Sequence, residues 1–506
     1  DGLGRAYEAL VRHVYKGGYS RGTRGPTDED FDRDSEGLRE IGTCTQVRSF
    51  QVKPASQPVP ERVEKLKEAL TEEELERVLD FKYPPTDKGS TFQAYKIHVS
   101  RPRVNPVDQD ILDESVRRVA EQRGTYELKH VPLDVDISFS RLRLLVEDAL
   151  TKVNYTKSPG YPLNIEYASN KIALSAEKEE IILAAVARLH MRMTLTDAEF
   201  EEMLRNPLAL LENGITDPSS IFIKTEPHPS RKHEKGNYRP ICPGGLVDLL
   251  VETVMYYEPG EVLKDDFVEN GSAVGIGFTD SMMEEFRQII MNLVVLFGFS
   301  LESDVSGFDA GHTPQYMDAT VEVDRKVYFS PDGLNCWNRH NKRWASMVVI
   351  GLSVFGKRVY IKSIPGGLDS GKRDTTRRNT TLRPLYSHTI AIKSNQSLTF
   401  SLANGDDGAD FGIKDLAAFK QAALDLGIKL RDVKVDDKGI SFCSHFYSYE
   451  KEGAELQSWP KLVYKILCNK GLCRSDAYQA IMEMRHNGDL AERLLRFLST
   501  IDMLDM

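Results

Sequence analysis

The chain has 506 residues, of which 41% are hydrophobic and 28% charged, enough for several subdomains in one body. Its 66 Lys and Arg against 76 Asp and Glu give a net charge of −10, which speaks against an indiscriminate polyanion binder; contact with nucleic acid has to come from local basic patches such as 224–239 and 372–378. The six cysteines are scattered without Cys-x2-Cys spacing, which speaks against a zinc module and fits a reduced intracellular chain.

Residues 1–60 are rich in Gly, Arg, Asp and Ser, end in a proline-containing run at 54–60 and show little periodicity, so they read as an N-terminal extension, a fingertip or a partly mobile segment. No secretory signal begins the chain, and its start at Asp1 rather than Met suggests trimming or release from a longer precursor. From Glu61 to Phe81 the leucines follow helical spacing, with Thr71 and Glu74 placed as a capping box for a second helix. Thr156 to Pro162 holds a Pro-Gly bend between small hydroxyls, in which an ordinary turn and a backbone-tracking loop read alike. Lys224, Arg231, Lys232, Lys235 and Arg239 make a cationic stretch opposed only by Glu226 and Glu234; it suits triphosphate oxygens and equally a solvated basic loop.

The apolar run 289–301 is too short for a bilayer span and contains Asn292, so it reads as a core strand. Its section Leu293 to Phe297 would lead into Asp304-Val305-Ser306-Gly307-Phe308-Asp309, a strand delivering a carboxylate at its end. Next comes Ser370-Gly371-Lys372-Arg373-Asp374-Thr375, with Asn379 four residues after Thr375 on one helix face. A ribose 2′-hydroxyl both donates and accepts, and Asp309, Ser370 and Asn379 make a suitable network around one. The overlapping run Gly366 to Lys372 matches most of a phosphate-binding P-loop, but Arg373 stands where a Mg²⁺-binding hydroxyl is required.

Ser397 to Leu402 reads as a strand, Asn404-Gly405 as a tight turn, and Ala409 onward as the return, which puts Asp406 and Asp407 at a hairpin tip. Nucleotidyl transfer to a 3′-hydroxyl uses two divalent ions about 3.5–4 Å apart, and carboxylates from two neighbouring strand ends can bridge them. Asp304, Asp406 and Asp407 are therefore the candidate ligands of two Mg²⁺, with Mn²⁺ a substitute, and template-directed RNA synthesis is the expected chemistry. Lys414 to Leu426 has amphipathic helical spacing and leads into a loop at 432–438. The end of the chain, notably 477–498, is helical in pattern.

The order Asp-x4-Asp, Ser-Gly-x3-Thr-x3-Asn and Gly-Asp-Asp resembles viral RNA-dependent RNA polymerases. Ile223 to His228 with Arg239-Pro240-Ile241 and Leu246-Val247-Asp248, and Phe442 to His445 with Ser458 to Lys461, resemble the sobemovirus and polerovirus type of positive-strand RNA virus. Pro243-Gly244-Gly245 departs from the Ser-containing turn expected there.

That resemblance implies an α+β right-hand polymerase: fingers at 61–296, palm at 297–320 and 363–450 as an antiparallel sheet backed by helices, a fingers insertion at 321–362, and a small helical thumb at 451–506. It further implies that Lys224 and Arg239 line a nucleotide channel together with Asp309, Ser370, Thr375 and Asn379, and that Ser158, Gly160, Tyr161 and Gly371 touch template RNA. The family pattern would also bring a lysine of the loop 432–438 to the active site, where it could donate a proton to the leaving pyrophosphate; Lys434 and Lys438 both fit, with Lys438 preferred. Partners would be single-stranded template, nascent RNA and nucleoside triphosphates, with a genome-linked protein primer as a further candidate, in a replication complex in host cytoplasm. Two other readings stand beside it, a P-loop-like NTPase or helicase and a non-catalytic RNA-binding protein.

Overall fold

Four short strands bring the acidic motifs side by side in the computed structural model, which describes residues 1–22, 34–35, 37–46, 54–134 and 136–503. Their order across the sheet is Phe400–Asn404, Asp407–Phe411, Leu301–Val305 and Leu430–Val435, with every neighbouring pair antiparallel. The hairpin closes through Gly405 and Asp406, because Asn404 pairs with Asp407. The turn is thus one residue later than its sequence suggests, and Asp407 already belongs to the return strand. Gly405 sits at φ 60°, a left-handed conformation that residues with a Cβ resist, and its N–H donates to Thr380 Oγ1 at 2.9 Å.

Helices back this sheet. Thr375–Lys393 lies against Phe400–Asn404 and against Gln109–Arg123, burying Leu382, Leu385, Tyr386 and Ile390. The expected amphipathic segment forms the helix Leu416–Asp425, with Phe419, Ala422 and Ala423 buried. The sheet and helix content is mixed α+β.

Three expectations are corrected. Residues 293–297 are the end of the helix Asp280–Phe297, not a strand; the Thr279 side chain caps its start, and Met283, Phe286 and Ile290 on one face are buried. Val295 and Leu296 are exposed, so the apolar run is no core strand, and the strand bearing Asp304 begins only at Leu301. Residues 432–435, expected in a loop, continue the sheet as the end of Leu430–Val435.

The N-terminal segment is structured where it is described. Gly2–Gly17 is a helix packed on the long helix Asn170–Thr194, and Leu38–Thr43 pairs with Arg358–Lys362 in a second sheet. The expectation of mobility for 23–33, 36 and 47–53 lies outside the described residues.

A buried ion network ties these parts together. Arg188 donates to Asp217 Oδ2 at 2.8 Å and Oδ1 at 3.0 Å, to Gly214 O at 2.8 Å and to Asp248 Oδ1 at 3.1 Å. His13 Nε2 reaches Asp217 at 2.9 Å, and Arg192 donates to Asp248 at 2.6 Å. All five side chains are buried.

The helices Pro60–Ala69 and Glu72–Leu79 pack on the C-terminal helices. Leu66 and Val78 share a core with Trp459, Val463, Leu467, Leu494 and Phe497 of the C-terminal helices Trp459–Cys468 and Asp489–Thr500. The capping box at Thr71 and Glu74 is formed, and Glu74 also receives Arg493 at 2.7 and 3.0 Å. Hydrogen bonds from the Arg493 guanidinium lower the Glu74 carboxyl from 4.5 to about 2. A depressed carboxyl stabilises the fold above its unfolded value and loses that contribution as pH falls through the folded one. Glu74→Gln is therefore expected to cost about 1 kcal/mol in denaturant unfolding at pH 7, a gap that narrows between pH 4.5 and 2; a gap independent of pH would contradict the assignment.

Candidate active site

Asp304 lies on the central strand, Asp406 in the turn beside it, and Asp407 on the strand between them. The pairing of Leu301 with Asp410 and Glu302 with Ala409, continued two residues along, sets Asp304 beside Asp407. Asp304 and Asp407 face an open cavity of about 420 Å³ lined also by Glu302, Ser303, Asp432 and Lys434, and the charge of Asp406 in the adjoining turn acts on both. Burial, then the charges of Asp406 and Asp304, pushes the Asp407 carboxyl up to about 6. Burial raises Asp304 as well, with Asp432 the largest of the neighbouring charges acting in that direction. Asp432, at φ 51°, was not singled out by its sequence.

The donor set is hard oxygen carrying excess negative charge, the chemistry that suits a divalent cation. Among the described residues no three His, Cys, Asp or Glu side chains stand close enough to enclose a metal ion by themselves. An ion here would need further oxygens from nucleotide and water, as Mg²⁺ commonly takes.

Arg383 holds the acidic hairpin from below, and it too went unnoticed in the sequence. Buried mid-helix, it donates to Asp406 O at 3.1 Å, Ser303 O at 2.8 Å, Ser303 Oγ at 2.9 Å and Ser387 Oγ at 3.1 Å. One side chain thus fixes both the turn and the strand of Asp304 by their backbones.

Asp309, Ser370 and Asn379 come together. Ser370 Oγ donates to Asp309 Oδ2 at 3.0 Å, and Asn379 Nδ2 donates to Asp309 Oδ1 at 3.0 Å. Thr375 does not join them, since its hydroxyl donates to Asp369 O at 3.1 Å at the start of the helix. The backbone locks the two motifs to each other: Leu368 N donates to Asp309 O at 2.8 Å and Gly367 N to His312 O at 2.7 Å. The P-loop-like run is no phosphate cradle, because Lys372 donates to Ser219 Oγ at 2.6 Å and the helix begins only at Thr375.

Arg239 and Lys224 sit on a two-stranded ribbon, Phe222–Ile223 with Pro240–Ile241. Burial and then the charge of Asp406 raise the Asp309 carboxyl, and Arg239, exposed, acts against that rise. The Lys224 ammonium faces Glu226 at 3.4 Å, and Glu226 also binds Lys461 at 2.8 Å. Lys232 is lowered by burial and then by Arg101, Arg231, Arg431 and Arg239, which marks a shared cationic wall. Arg101 and Arg431 come from distant segments and carry no local motif. Arg431 pairs with Asp304 across the sheet, so cations adjoin the carboxylates directly.

Two placements depart from the sequence. Tyr161 is fully buried, its hydroxyl 2.9 Å from Gly17 O and 2.8 Å from Thr45 O, so it anchors the N-terminal helix and presents no surface to RNA. Ser158 is exposed; Gly160, at φ 67°, packs so closely on Gly245 that a Cβ would meet its Cα at 2.8 Å. Gly371 packs a little less closely, a Cβ there meeting Ile241 Cγ2 at 3.0 Å and Pro243 N at 3.2 Å. Lys434, not the preferred Lys438, lines the cavity, its ammonium 4.0 Å from Glu302; Lys438 is exposed in the turn beyond the strand.

No family model matches the chain. It is 24% identical over 477 residues to the replicase polyprotein P2AB of Southern bean mosaic virus, an alignment covering 91% of this chain and 45% of that protein. It is 27% identical over 327 residues to the RNA-directed RNA polymerase of Mushroom bacilliform virus, covering 62% of this chain and 74% of that protein. The Potato leafroll virus protein P1-P2 is 24% identical over 328 residues, 60% of this chain and 29% of that one. The chain is therefore similar to viral replicases and RNA polymerases. Within that class it resembles the sobemovirus and polerovirus type, and it spans less than half the length of the Southern bean mosaic virus polyprotein.

Proposed function

We propose that the chain is an RNA-dependent RNA polymerase that replicates a positive-strand viral genome from an RNA template. The observation that carries this reading is the meeting of Asp304 and Asp407 at one cavity, with the charge of Asp406 in the adjoining turn acting on both, and with the Asp309, Ser370 and Asn379 cluster bonded together from the two other motifs. In this reading the four-stranded sheet is the palm and the C-terminal helices, joined by Pro60–Ala69 and Glu72–Leu79, are the thumb. The remainder before the palm, with 321–362, serves as fingers.

Asp304, Asp406 and Asp407 would hold two Mg²⁺, which supply charge neutralisation and activation of the 3′-hydroxyl. The chain's own groups do the rest. Arg239, Arg101, Lys232 and Arg431 draw the triphosphate against the carboxylates' repulsion. Asp309 accepts from the ribose 2′-hydroxyl, selecting ribonucleotides. The 3′-hydroxyl gives its proton to solvent as its oxygen bonds to the α-phosphorus and the bond to pyrophosphate breaks, and Lys434 gives a proton to the departing oxygen. Lys434→Ala is expected to slow single-nucleotide incorporation about a hundredfold, with Lys438→Ala near wild type; the reverse order would return the role to Lys438.

Template RNA, nascent RNA and nucleoside triphosphates are the substrates in this reading, a genome-linked protein is a candidate primer, and the setting is a replication complex in host cytoplasm. No helix among the described residues is long and apolar enough to cross a membrane. Labelled ribonucleotides supplied with and without template test the proposal. Template-dependent product containing all supplied nucleotides supports it; phosphate release without extension, dependent on Lys372, would favour an NTPase, and neither outcome would leave a binding protein.

A further inference from the structure

Behind the Asp309 cluster lies a second tier of polar groups that the polymerase reading does not use. His312 is fully buried, with Nε2 3.1 Å from Asn379 Oδ1 and Nδ1 2.6 Å from the Tyr386 hydroxyl. Tyr386 is fully buried too, its ring edge-on to Phe308 and Tyr316.

The directions of these bonds follow from chemistry. Asp309 accepts on both oxygens, so the Asn379 amide must turn its NH₂ toward Oδ1 of Asp309 and its carbonyl toward His312. Burial lowers His312 to about 3, so the ring is neutral and has a single N–H. That proton must sit on Nε2 to meet the Asn379 carbonyl, which leaves Nδ1 bare to accept from Tyr386. The chain of donors runs one way: Tyr386 to His312, His312 to Asn379, Asn379 to Asp309.

We propose that His312 and Tyr386 are positioning residues that lock the Asn379 amide and, through it, the sugar-reading face of Asp309, and so set the preference for ribo- over deoxyribonucleotides. This rests on the polymerase reading. Flipping the amide would set its carbonyl against the Asp309 carboxylate and its NH₂ against the His312 N–H, two repulsions at once. Without the Tyr386 hydroxyl the imidazole can carry its proton on Nδ1 and accept from a flipped amide, which removes one of the two. The backbone bond from Gly367 to His312 O holds the ring in register with the Ser370 loop.

The experiment compares kcat/KM for a ribonucleotide and the matching deoxyribonucleotide in wild type, Tyr386→Phe, His312→Leu and His312→Gln. The ratio should fall about tenfold in His312→Leu, less in Tyr386→Phe, and recover in His312→Gln, whose amide can again donate to Asn379. The change should lie in the ribonucleotide parameters, since the deoxyribonucleotide has no 2′-hydroxyl to offer Asp309. Tyr386→Phe removes one hydroxyl and keeps the ring packing, so it provides a folded variant should His312→Leu not fold. Unchanged ratios in Tyr386→Phe and His312→Leu, or equal losses for both nucleotides that track the melting temperature, would overturn the inference. Absence of incorporation by wild type would overturn the polymerase reading and this inference with it.

Discussion

Asp406→Ala is expected to abolish nucleotide incorporation, a loss on the order of a thousandfold or more, while leaving the thermal midpoint nearly unchanged. The two halves of that expectation have separate causes. The side chain of Asp406 is exposed, and the bonds that hold the turn run through Gly405 N to Thr380 and through Asp406 O to Arg383, both backbone atoms that alanine retains. Burial is the main cause that raises the Asp407 carboxyl, and removing the Asp406 charge relieves the next largest. In the proposed two-metal reading activity loses one of the three candidate ligands, while the fold loses no bond. Incorporation near wild type would defeat the assignment, and a large drop in the midpoint would mean that the residue is structural.

Arg188→Met should have the largest effect on stability, about 3–5 kcal/mol, seen as unfolding at lower denaturant or as insoluble protein. Arg188 is fully buried and makes both charge contacts to Asp217 and one to Asp248. Methionine fills the volume but removes the guanidinium from Asp217 and leaves it the His13 imidazole, and the desolvated carboxylate is what costs so much. Asp217→Asn in the same background should recover part of the loss by removing the stranded charge. If Arg188→Met unfolds like wild type, the network contributes no net stability.

The carboxylates were legible because they sit where local chemistry speaks: a Gly-Asp-Asp between apolar runs, an Asp at a strand end, a Ser-Gly loop before a helix. The same local signals place Thr71 and Glu74 as a capping box. What stayed hidden acts across the chain. Arg383, His312, Arg101 and Arg431 have ordinary neighbours in sequence, and only folding brings them to the site. The helix Asp280–Phe297 was misread because its last residues are continuously apolar, which erases the 3.6-residue period there. The signal to find it lay earlier, in the Thr279 cap and the spacing of Met283, Phe286 and Ile290. The helix Gly2–Gly17 opens with Gly2 and Gly4, poor helix formers, and is held by packing on Asn170–Thr194 rather than by propensity. Tyr161 looked available beside a Pro-Gly bend; its burial depends on Gly17 and Thr45, more than a hundred residues away.

The central claim is that the carboxylates of the Leu301–Val305 strand and of the Gly405–Asp406 turn hold divalent cations in common. Mn²⁺ binding followed by electron paramagnetic resonance, with a non-hydrolysable nucleotide present, tests it most directly. Wild type should bind two Mn²⁺, and both Asp304→Asn and Asp406→Asn should weaken that binding in the folded protein; unchanged Mn²⁺ binding in both variants would contradict it.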